Sequence, residues 1–313
     1  MPPKQKRTAQ RQSQLQGSET HRFEYISSIS RSGGGDDLDG DSLKNYETQE
    51  KYRAWIDEKL LKVEAANNKL GEEREKLAKE DLVRLFRKLR EGVIAAKRHD
   101  EFATEVYETS LLLAAAYGAM DQVTALAAQI LMLNDAEDVT VVALQSFLVK
   151  NEITLLLALL HQVVVGMRHP PTFLSALKII IQRPPSLVLS SDRTNWLRSL
   201  VIDVKTQNYH SIRRLTSQSR LTALIQDCLS PGNHGKRQEA AITQEVTRLQ
   251  HCIRDATWGV VRHAYRDETE DWLAITLQLS SNPGGWLQQK QQIQEALCSD
   301  DKPARWKLYK PRM

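Results

Sequence analysis

Cysteine is scarce in this chain, with only 3 residues in 313, at Cys228, Cys252 and Cys298. They lie far apart and form no C-x-x-C pair, so the sequence contains neither a disulfide framework nor a cysteine-based zinc site. This scarcity is typical of a reducing compartment. We therefore expect an intracellular protein, in the nucleus, the cytoplasm or both.

Long hydrophobic runs are also missing. The run LLLALL at Leu155–Leu160 is among the longest, and it is far too short to cross a bilayer. The N-terminal stretch MPPKQKRTAQRQSQ has no apolar core and therefore lacks the pattern of a secretory signal. We expect a soluble protein that makes no membrane contact.

The sequence contains no recognisable catalytic motif. There is no phosphate-binding loop, no G-x-G-x-x-G, no G-x-S-x-G and no H-E-x-x-H. His251 and Cys252 are adjacent, so on a helix they point about 100° apart and cannot hold one metal ion together. We expect His161, His169 and His210 to lie at the surface or to cap helices. The prediction is a non-enzyme without metal, cofactor or small-molecule substrate.

Glycine and proline are few, at 14 and 10 residues, and hydrophobic residues make up 41% of the chain. From Ser42 onward these hydrophobic residues recur with a helical period, as in the stripe from Tyr52 to Leu70. Gly71 interrupts this stripe, which favours two helices over one long coiled coil. The prediction is a largely helical protein.

Residues 1–42 are rich in Gln, Ser, Gly and charge, and we predict that they form a disordered tail. The tail begins with basic residues and ends with acidic ones. The basic start is either a nuclear-import or RNA-contacting patch or simply a solubilising segment. Its basic residues are Lys4, Lys6, Arg7 and Arg11.

Three later stretches repeat a helix–turn–helix plan, with turns at Gly118, at Lys150–Asn151 and at Gln207–Asn208. Helix pairs that bury their faces only against neighbours form a helical-repeat solenoid of the tetratricopeptide kind. The predicted organisation is N-terminal helices in residues 43–98 and a helical-repeat body in residues 99–235.

The third turn carries the sequence QNYHSIRRL, which combines an apolar face with two arginines. Tyr209, Ile212 and Leu215 fall on one side of a helix, whereas Arg214 falls on the other. We interpret the apolar residues, together with Trp196 of the preceding helix, as a structural core that closes the turn.

The chain after Pro231–Gly232 predicts a cap over residues 236–313 that resembles a winged helix. It starts with one long amphipathic helix or two shorter ones, followed by helices at DWLAITLQL and PGGWLQQKQQIQEAL. The final ARWKLYKPRM alternates as a strand does. The acidic pairs Asp267–Glu268 and Asp300–Asp301 are interpreted as helix caps.

Basic residues at the C-terminus are the leading candidates for nucleic-acid contact, because they surround the aromatic residues Trp306 and Tyr309. Arg213 and Arg214 are a second candidate pair. Alternatively, this segment contacts an acidic protein, or it is a solvated strand whose Trp306 packs into its own domain. The net charge of +4 permits each alternative. The C-terminal candidates are Lys302, Arg305, Lys307, Lys310 and Arg312.

These motifs together resemble the SAC3/GANP/Thp3 group of PCI proteins, which is related to small subunits of the proteasome lid, the COP9 signalosome and translation initiation factor three. In that group a G/N-N-Y turn precedes a helix rich in Phe, Arg and Leu. A helix like that of Ala256–Tyr265 and a short helix like WLAITLQL come later. The turn pattern is occupied here by Asn208, Tyr209, Ile212, Arg213, Arg214 and Leu215.

The resemblance covers roughly residues 100–310 and implies an all-α fold, with a helical-repeat solenoid and a winged-helix cap. It implies a non-catalytic scaffold or adaptor that binds other PCI-type or helical subunits, most plausibly in messenger-RNA processing or nuclear export, with RNA contact. The alternative is a protein-only subunit of a complex like the proteasome lid, the signalosome or the initiation factor.

Overall fold

The computed structural model describes residues 23–26, 42–66, 71–133, 152–167, 189–277, 283–299 and 305–309. Within these ranges the chain forms eleven α-helices and one small three-stranded sheet. The all-α prediction is therefore confirmed at the level of fold class. The chain divides into two compact units, residues 1–158 and residues 159–313.

The first unit begins with four consecutive helices, each of which packs on the next. They are α1 (Tyr46–Ala65), α2 (Glu72–Ala95), α3 (Glu101–Ala116) and α4 (Met120–Leu133). Helix α1 is separate from α2, as the break at Gly71 predicts. Asn45 and Asp100 cap α1 and α3 by accepting a hydrogen bond from the backbone N–H of the third residue of each helix.

A short 3₁₀ helix at Ser42–Lys44 packs on both α1 and α2. Its Leu43 is fully buried, and a Cβ atom added at Gly92 of α2 would lie only 2.8 Å from the Leu43 carbonyl oxygen. Glycine is therefore required at position 92 for this close approach.

Two residues of the tail predicted to be disordered pack into the first unit. Phe23 and Ile26 are buried, and the Phe23 ring lies 5.7 Å from that of Tyr52 and 5.9 Å from that of Trp55. Lys88 of α2 donates a hydrogen bond to the Ile26 carbonyl. The prediction of disorder missed this contact because two apolar residues in a polar tail give no periodic signal.

The turn between α3 and α4 is at Gly118, as predicted, and Gly118 adopts a φ of +75° that suits glycine. Helix α5 (Glu152–Gly166) follows, and the boundary between the two units falls within it. The turn predicted at Lys150–Asn151 lies outside the described residues.

The second unit continues with α6 (Ser191–Lys205), α7 (Tyr209–Leu215), α8 (Gln218–Ile225) and α9 (Asn233–Ala264). The turn predicted at Gln207–Asn208 is confirmed, and Asn208 caps α7 by accepting a hydrogen bond from the Ser211 N–H. Helix α9 is one continuous helix of 32 residues, which decides between the two alternatives for this segment.

The predicted core around α7 is confirmed in part. Trp196 and Ile212 are buried, and the Trp196 indole donates a 2.9 Å hydrogen bond to the Leu215 carbonyl, which ties α6 to the end of α7. Tyr209 and Leu215 are only partly buried.

The C-terminal segment contains three short strands and two helices: β1 (Asp267–Thr269), α10 (Glu270–Leu277), α11 (Pro283–Gln292), β2 (Ala296–Ser299) and β3 (Arg305–Leu308). The strand order is β1-β3-β2, and β3 pairs antiparallel with both neighbours. The sequence predicted only β3. Asp267–Glu268 lies in β1 rather than capping a helix, and α11 ends before β2. Strand β1 (DET) is too short for periodicity to show, and β2 (ALCS) begins with three apolar residues in a row, so it does not alternate.

Alternation along β3 places Trp306 and Leu308 in the core, while Arg305 and Lys307 are exposed. Three further hydrophobic side chains, those of Trp272, Trp286 and Cys298, pack against this core while remaining partly exposed. The buried cluster, which we call the cap core, comprises Trp258, Val261, Leu273, Leu277, Leu287, Ala296, Trp306 and Leu308.

His161 of α5 is fully buried, which corrects the prediction that it lies at the surface or caps a helix. Its Nδ1 lies 2.8 Å from Oε1 of the buried Glu245 in α9. Glu245 also pairs with Arg248 at 3.2 Å. A buried partner explains the burial, because the carboxylate satisfies a ring nitrogen that water would otherwise bind. No helix in the described part of the chain is long and apolar enough to cross a membrane.

Candidate functional site

Helix α7 presents two exposed arginines next to a packed turn. Arg213 and Arg214 are exposed. The preceding residue, Ile212, is only 1% exposed. The Tyr209 hydroxyl interacts with the side chain of Thr257 in α9. Burial raises the pKa of Tyr209, although the nearby Thr257 side chain acts in the opposite direction. The turn is therefore a structural joint between α7 and α9.

A pocket of about 440 Å³ lies among α7, α8, α9 and α10, and we call it the α7–α10 pocket. Arg213 lines it, whereas Arg214 is not among its lining residues. Most of the other lining residues are small, aliphatic or uncharged and polar. They are Thr216, Ser217, Gln218, Leu221, Thr243, Val246, Thr247, Gln250, Ala274 and Ile275.

Several polar groups of the pocket are already bonded within the protein. The Gln250 side chain donates to the Thr216 carbonyl at 3.1 Å and to the Thr216 hydroxyl at 3.2 Å, which joins α9 to the end of α7. The Thr247 hydroxyl donates to the Thr243 carbonyl at 2.8 Å. These bonds fix the walls of the pocket.

Among the described residues that line the pocket, Arg213 is the only one with a formal charge. No carboxylate in the described part of the chain forms an ion pair with it. The pocket therefore combines a positive guanidinium with fixed, uncharged walls, which favours an anionic ligand group.

The apolar part of the lining has both buried and exposed members. Leu221 and Val246 are 3% and 2% exposed, whereas Ile275 of α10 is 69% exposed. An exposed isoleucine beside a pocket gives a ligand additional apolar surface to bury. The pocket can therefore accept an aliphatic side chain next to an anionic group.

The second candidate surface is the outer face of β3. Arg305 and Lys307 are both exposed, and Arg305 forms an ion pair with Asp267 of β1 at 3.4 Å. Lys307 lies opposite the same Asp267 in the strand register. The acidic residue thus offsets part of the positive charge. Three further candidates lie outside the described residues: Lys302, Lys310 and Arg312.

The aromatic residues beside these bases differ in accessibility. Trp306 is 3% exposed and belongs to the cap core, so it is not available to stack on a base. Tyr309 is 47% exposed, and its carbonyl accepts a 2.7 Å hydrogen bond from Arg262. Trp306 therefore packs into its own domain, which by itself leaves the role of the exposed bases of β3 open.

Metal-binding side chains are not clustered in the described part of the chain, where no group of three or more His, Cys, Asp or Glu residues could hold an ion. His251 lies next to the pocket residue Gln250 in sequence, and its Nδ1 is 3.2 Å from a guanidinium nitrogen of Arg254. Burial lowers the pKa of His251, and the charge of Arg254 lowers it further.

The α7–α10 pocket was not predicted from the sequence, because its walls come from helices far apart in the chain. The sequence does bring Arg213 and Arg214 to attention, but it gives no basis for choosing between them. The structure separates them, since only Arg213 lines the pocket.

Comparison with known proteins adds no relative to this picture. No protein-family model matches the chain, and neither the curated proteins nor the solved structures yield a match. Membership of the PCI group therefore stays a prediction based on the motifs of the sequence.

Proposed function

We propose that this protein is a non-catalytic adaptor subunit of a multiprotein complex in messenger-RNA processing or nuclear export, with RNA contact through the outer face of β3. The observation that carries the RNA contact is the pair of exposed bases on that face. Arg305 and Lys307 alternate with the buried Trp306 and Leu308, so the strand is fixed in the core while both cations face solvent.

The helical organisation supports the adaptor role. Consecutive helix pairs such as α3–α4 and α6–α7 pack on each other through short turns. Proteins built in this way commonly bind other proteins along their exposed helix faces. The predicted partners are other PCI-type or helical subunits.

The charge on β3 sets the size of the expected RNA effect. Each phosphate contact on a single strand contributes about 0.7 to the slope of log affinity against log salt concentration. Two contacts, from Arg305 and Lys307, should therefore contribute about 1.4. The ion pair with Asp267 reduces this value if it persists in the complex.

The test is a titration of the full chain with fluorescently labelled single-stranded RNA of mixed sequence, read by anisotropy at several salt concentrations. The double variant Arg305→Ala/Lys307→Ala should weaken binding and flatten the salt slope by about 1.4. The matched control is Lys205→Ala/Lys236→Ala, which removes two exposed lysines of the same unit. The RNA proposal fails if the two double variants bind the RNA with the same affinity and the same salt slope.

A protein-only adaptor is the second candidate. The burial of Trp306 and the ion pair between Arg305 and Asp267 favour it, because they remove a stacking platform and part of the free charge. Absence of salt-dependent RNA binding by the unmodified chain would select this candidate, and the adaptor role itself would be unaffected.

A further inference from the structure

We propose that the α7–α10 pocket binds an acidic peptide segment of a partner protein. In this complex a carboxylate of the peptide pairs with Arg213, and a neighbouring aliphatic side chain packs against Leu221, Val246 and Ile275. This inference rests on the proposed adaptor function and specifies the chemistry of one of its partners.

Charge complementarity is the first reason for an acidic partner. The guanidinium of Arg213 is the sole formal charge among the lining residues that the structure describes, and the other polar groups there are largely bonded within the chain. Ser217 and Gln218, at the N-terminal end of α8, line the same pocket, and the partial positive charge of that helix end adds to the charge of Arg213. A carboxylate can form two parallel hydrogen bonds with a guanidinium.

The apolar lining supplies the second reason. Ile275 leaves 69% of its surface exposed, next to the nearly buried Leu221 and Val246. A ligand that bore only negative charge would leave this apolar surface in water. An aliphatic side chain next to the carboxylate would bury it and contribute binding free energy in proportion to the area covered.

RNA fits this pocket less well than a peptide. The described part of the lining contains no aromatic side chain on which a base could stack. One arginine supplies one phosphate contact, which is worth a salt slope of only about 0.7. The volume of about 440 Å³ lies within the usual range of about 300–1,000 Å³ for ligand pockets.

The binding test starts from a phage-displayed library of random linear peptides, selected on the immobilised full chain. Enriched peptides should contain Asp or Glu close to Leu, Ile or Val. The most enriched peptide is then synthesised with a fluorescent label, and its affinity is measured by fluorescence polarisation. Arg213→Glu should weaken binding about 10-fold or more, whereas Arg214→Glu, on the same helix outside the pocket, should leave it nearly unchanged.

Two further comparisons test each half of the proposed complex. Ile275→Lys should weaken peptide binding, while Ile202→Lys, at an isoleucine that is 58% exposed on α6, should not. A peptide in which the acidic residue is replaced by Lys should bind Arg213→Glu better than it binds the unmodified chain. If Arg213→Glu is unfolded by circular dichroism, Arg213→Gln replaces it, and the same loss of binding is expected.

The proposal is overturned if no peptide is enriched, if enriched peptides lack acidic residues, or if Arg213→Glu and Arg214→Glu bind the peptide equally. It is also overturned if labelled RNA, rather than the peptide, loses affinity on Arg213→Glu, since the pocket would then belong to RNA.

The size of the native assembly distinguishes this inference from the proposed function. The tagged full chain, expressed in its own cells, should elute from a sizing column with a complex much larger than itself. Elution as a monomer would refute the adaptor role. A large complex together with unaltered peptide binding by the Arg213 and Ile275 variants would refute the pocket assignment alone.

Discussion

Glu295 is the polar centre of the C-terminal cap, and its replacement by glutamine should destabilise the protein in a pH-dependent way. Its carboxylate accepts a 2.8 Å hydrogen bond from the indole of Trp258 and a 2.6 Å bond from the guanidinium of Arg262. Lys290 adds a third contact, and the second positive one, at 3.5 Å. Trp258 belongs to the cap core, so these bonds connect α9 to the segment before β2.

The expected loss at neutral pH is about 2 kcal/mol. Hydrogen bonds to charged groups contribute about 1.5–3 kcal/mol each, and two such bonds meet at Glu295. The sum must be reduced, because the Glu295 side chain is 25% exposed and solvent screens its charge. Glutamine also keeps one acceptor oxygen, and Arg262 retains its bond to the Tyr309 carbonyl.

The pH dependence follows from the pKa of Glu295. Burial acts to raise this pKa, but the hydrogen bond from Trp258 and the charges of Lys290 and Arg262 outweigh burial, so the pKa lies below its usual value. A depressed pKa stabilises the fold above the unfolded value of about 4.3, and this stability is lost as the pH falls through the folded pKa. Because glutamine mimics the uncharged state, the difference between the two proteins should shrink over that acidic range.

Urea unfolding followed by tryptophan fluorescence is the appropriate assay. Of the 6 tryptophans, all but Trp55 lie in residues 159–313, so the signal reports mainly on the unit that contains Glu295. The control is Asp271→Asn, which removes an exposed carboxylate of α10 in the same unit. A loss that stays constant as the pH falls, or a loss no larger than that of the control, would refute the reasoning.

Three smaller predictions concern turns and can be checked by the same unfolding assay. Tyr209→Ala should cost about 2 kcal/mol, below the 3–5 kcal/mol of a fully buried aromatic residue, because the ring is only partly buried. Asn208→Ala removes the acceptor of the Ser211 N–H and should cost about 1 kcal/mol. Gly118→Ala forces a Cβ into a positive φ and should cost about 1 kcal/mol. An unchanged denaturation midpoint in any of these variants would contradict the corresponding assignment.

Features that depend on local chemistry could be predicted from the sequence. Gly118 and Asn208 mark turns because one tolerates a positive φ and the other caps a helix, and both properties belong to single residues. The separation of α1 from α2 at Gly71 follows from the same kind of local signal. The position of Trp306 between two bases likewise predicted an alternating strand.

Features that depend on long-range packing could not be predicted. Asp267 and Glu268 resemble a helix cap in sequence, and only the pairing with β3 makes them a strand. His161 appears polar and unremarkable until Glu245, far along the chain, provides a buried partner. Neither contact has a periodic or motif-based signature, because each is created by the arrangement of whole helices and strands.

The two arginines of α7 show how this limit bears on function. A helical projection places Arg214 opposite the apolar face and leaves Arg213 near its edge, which by itself indicates only that both reach solvent. The functional difference arises because α9 and α10 bring Val246 and Ile275 into the same pocket as Arg213. On β3 tertiary structure has the opposite effect on the positive charge. Strand pairing places Asp267 of β1 beside Arg305 and Lys307, which have no acidic neighbour in the local sequence. Tertiary structure therefore gives Arg213 apolar neighbours and gives Arg305 and Lys307 an acidic one, and charge reversal at Arg213 is the more decisive of the two proposed experiments.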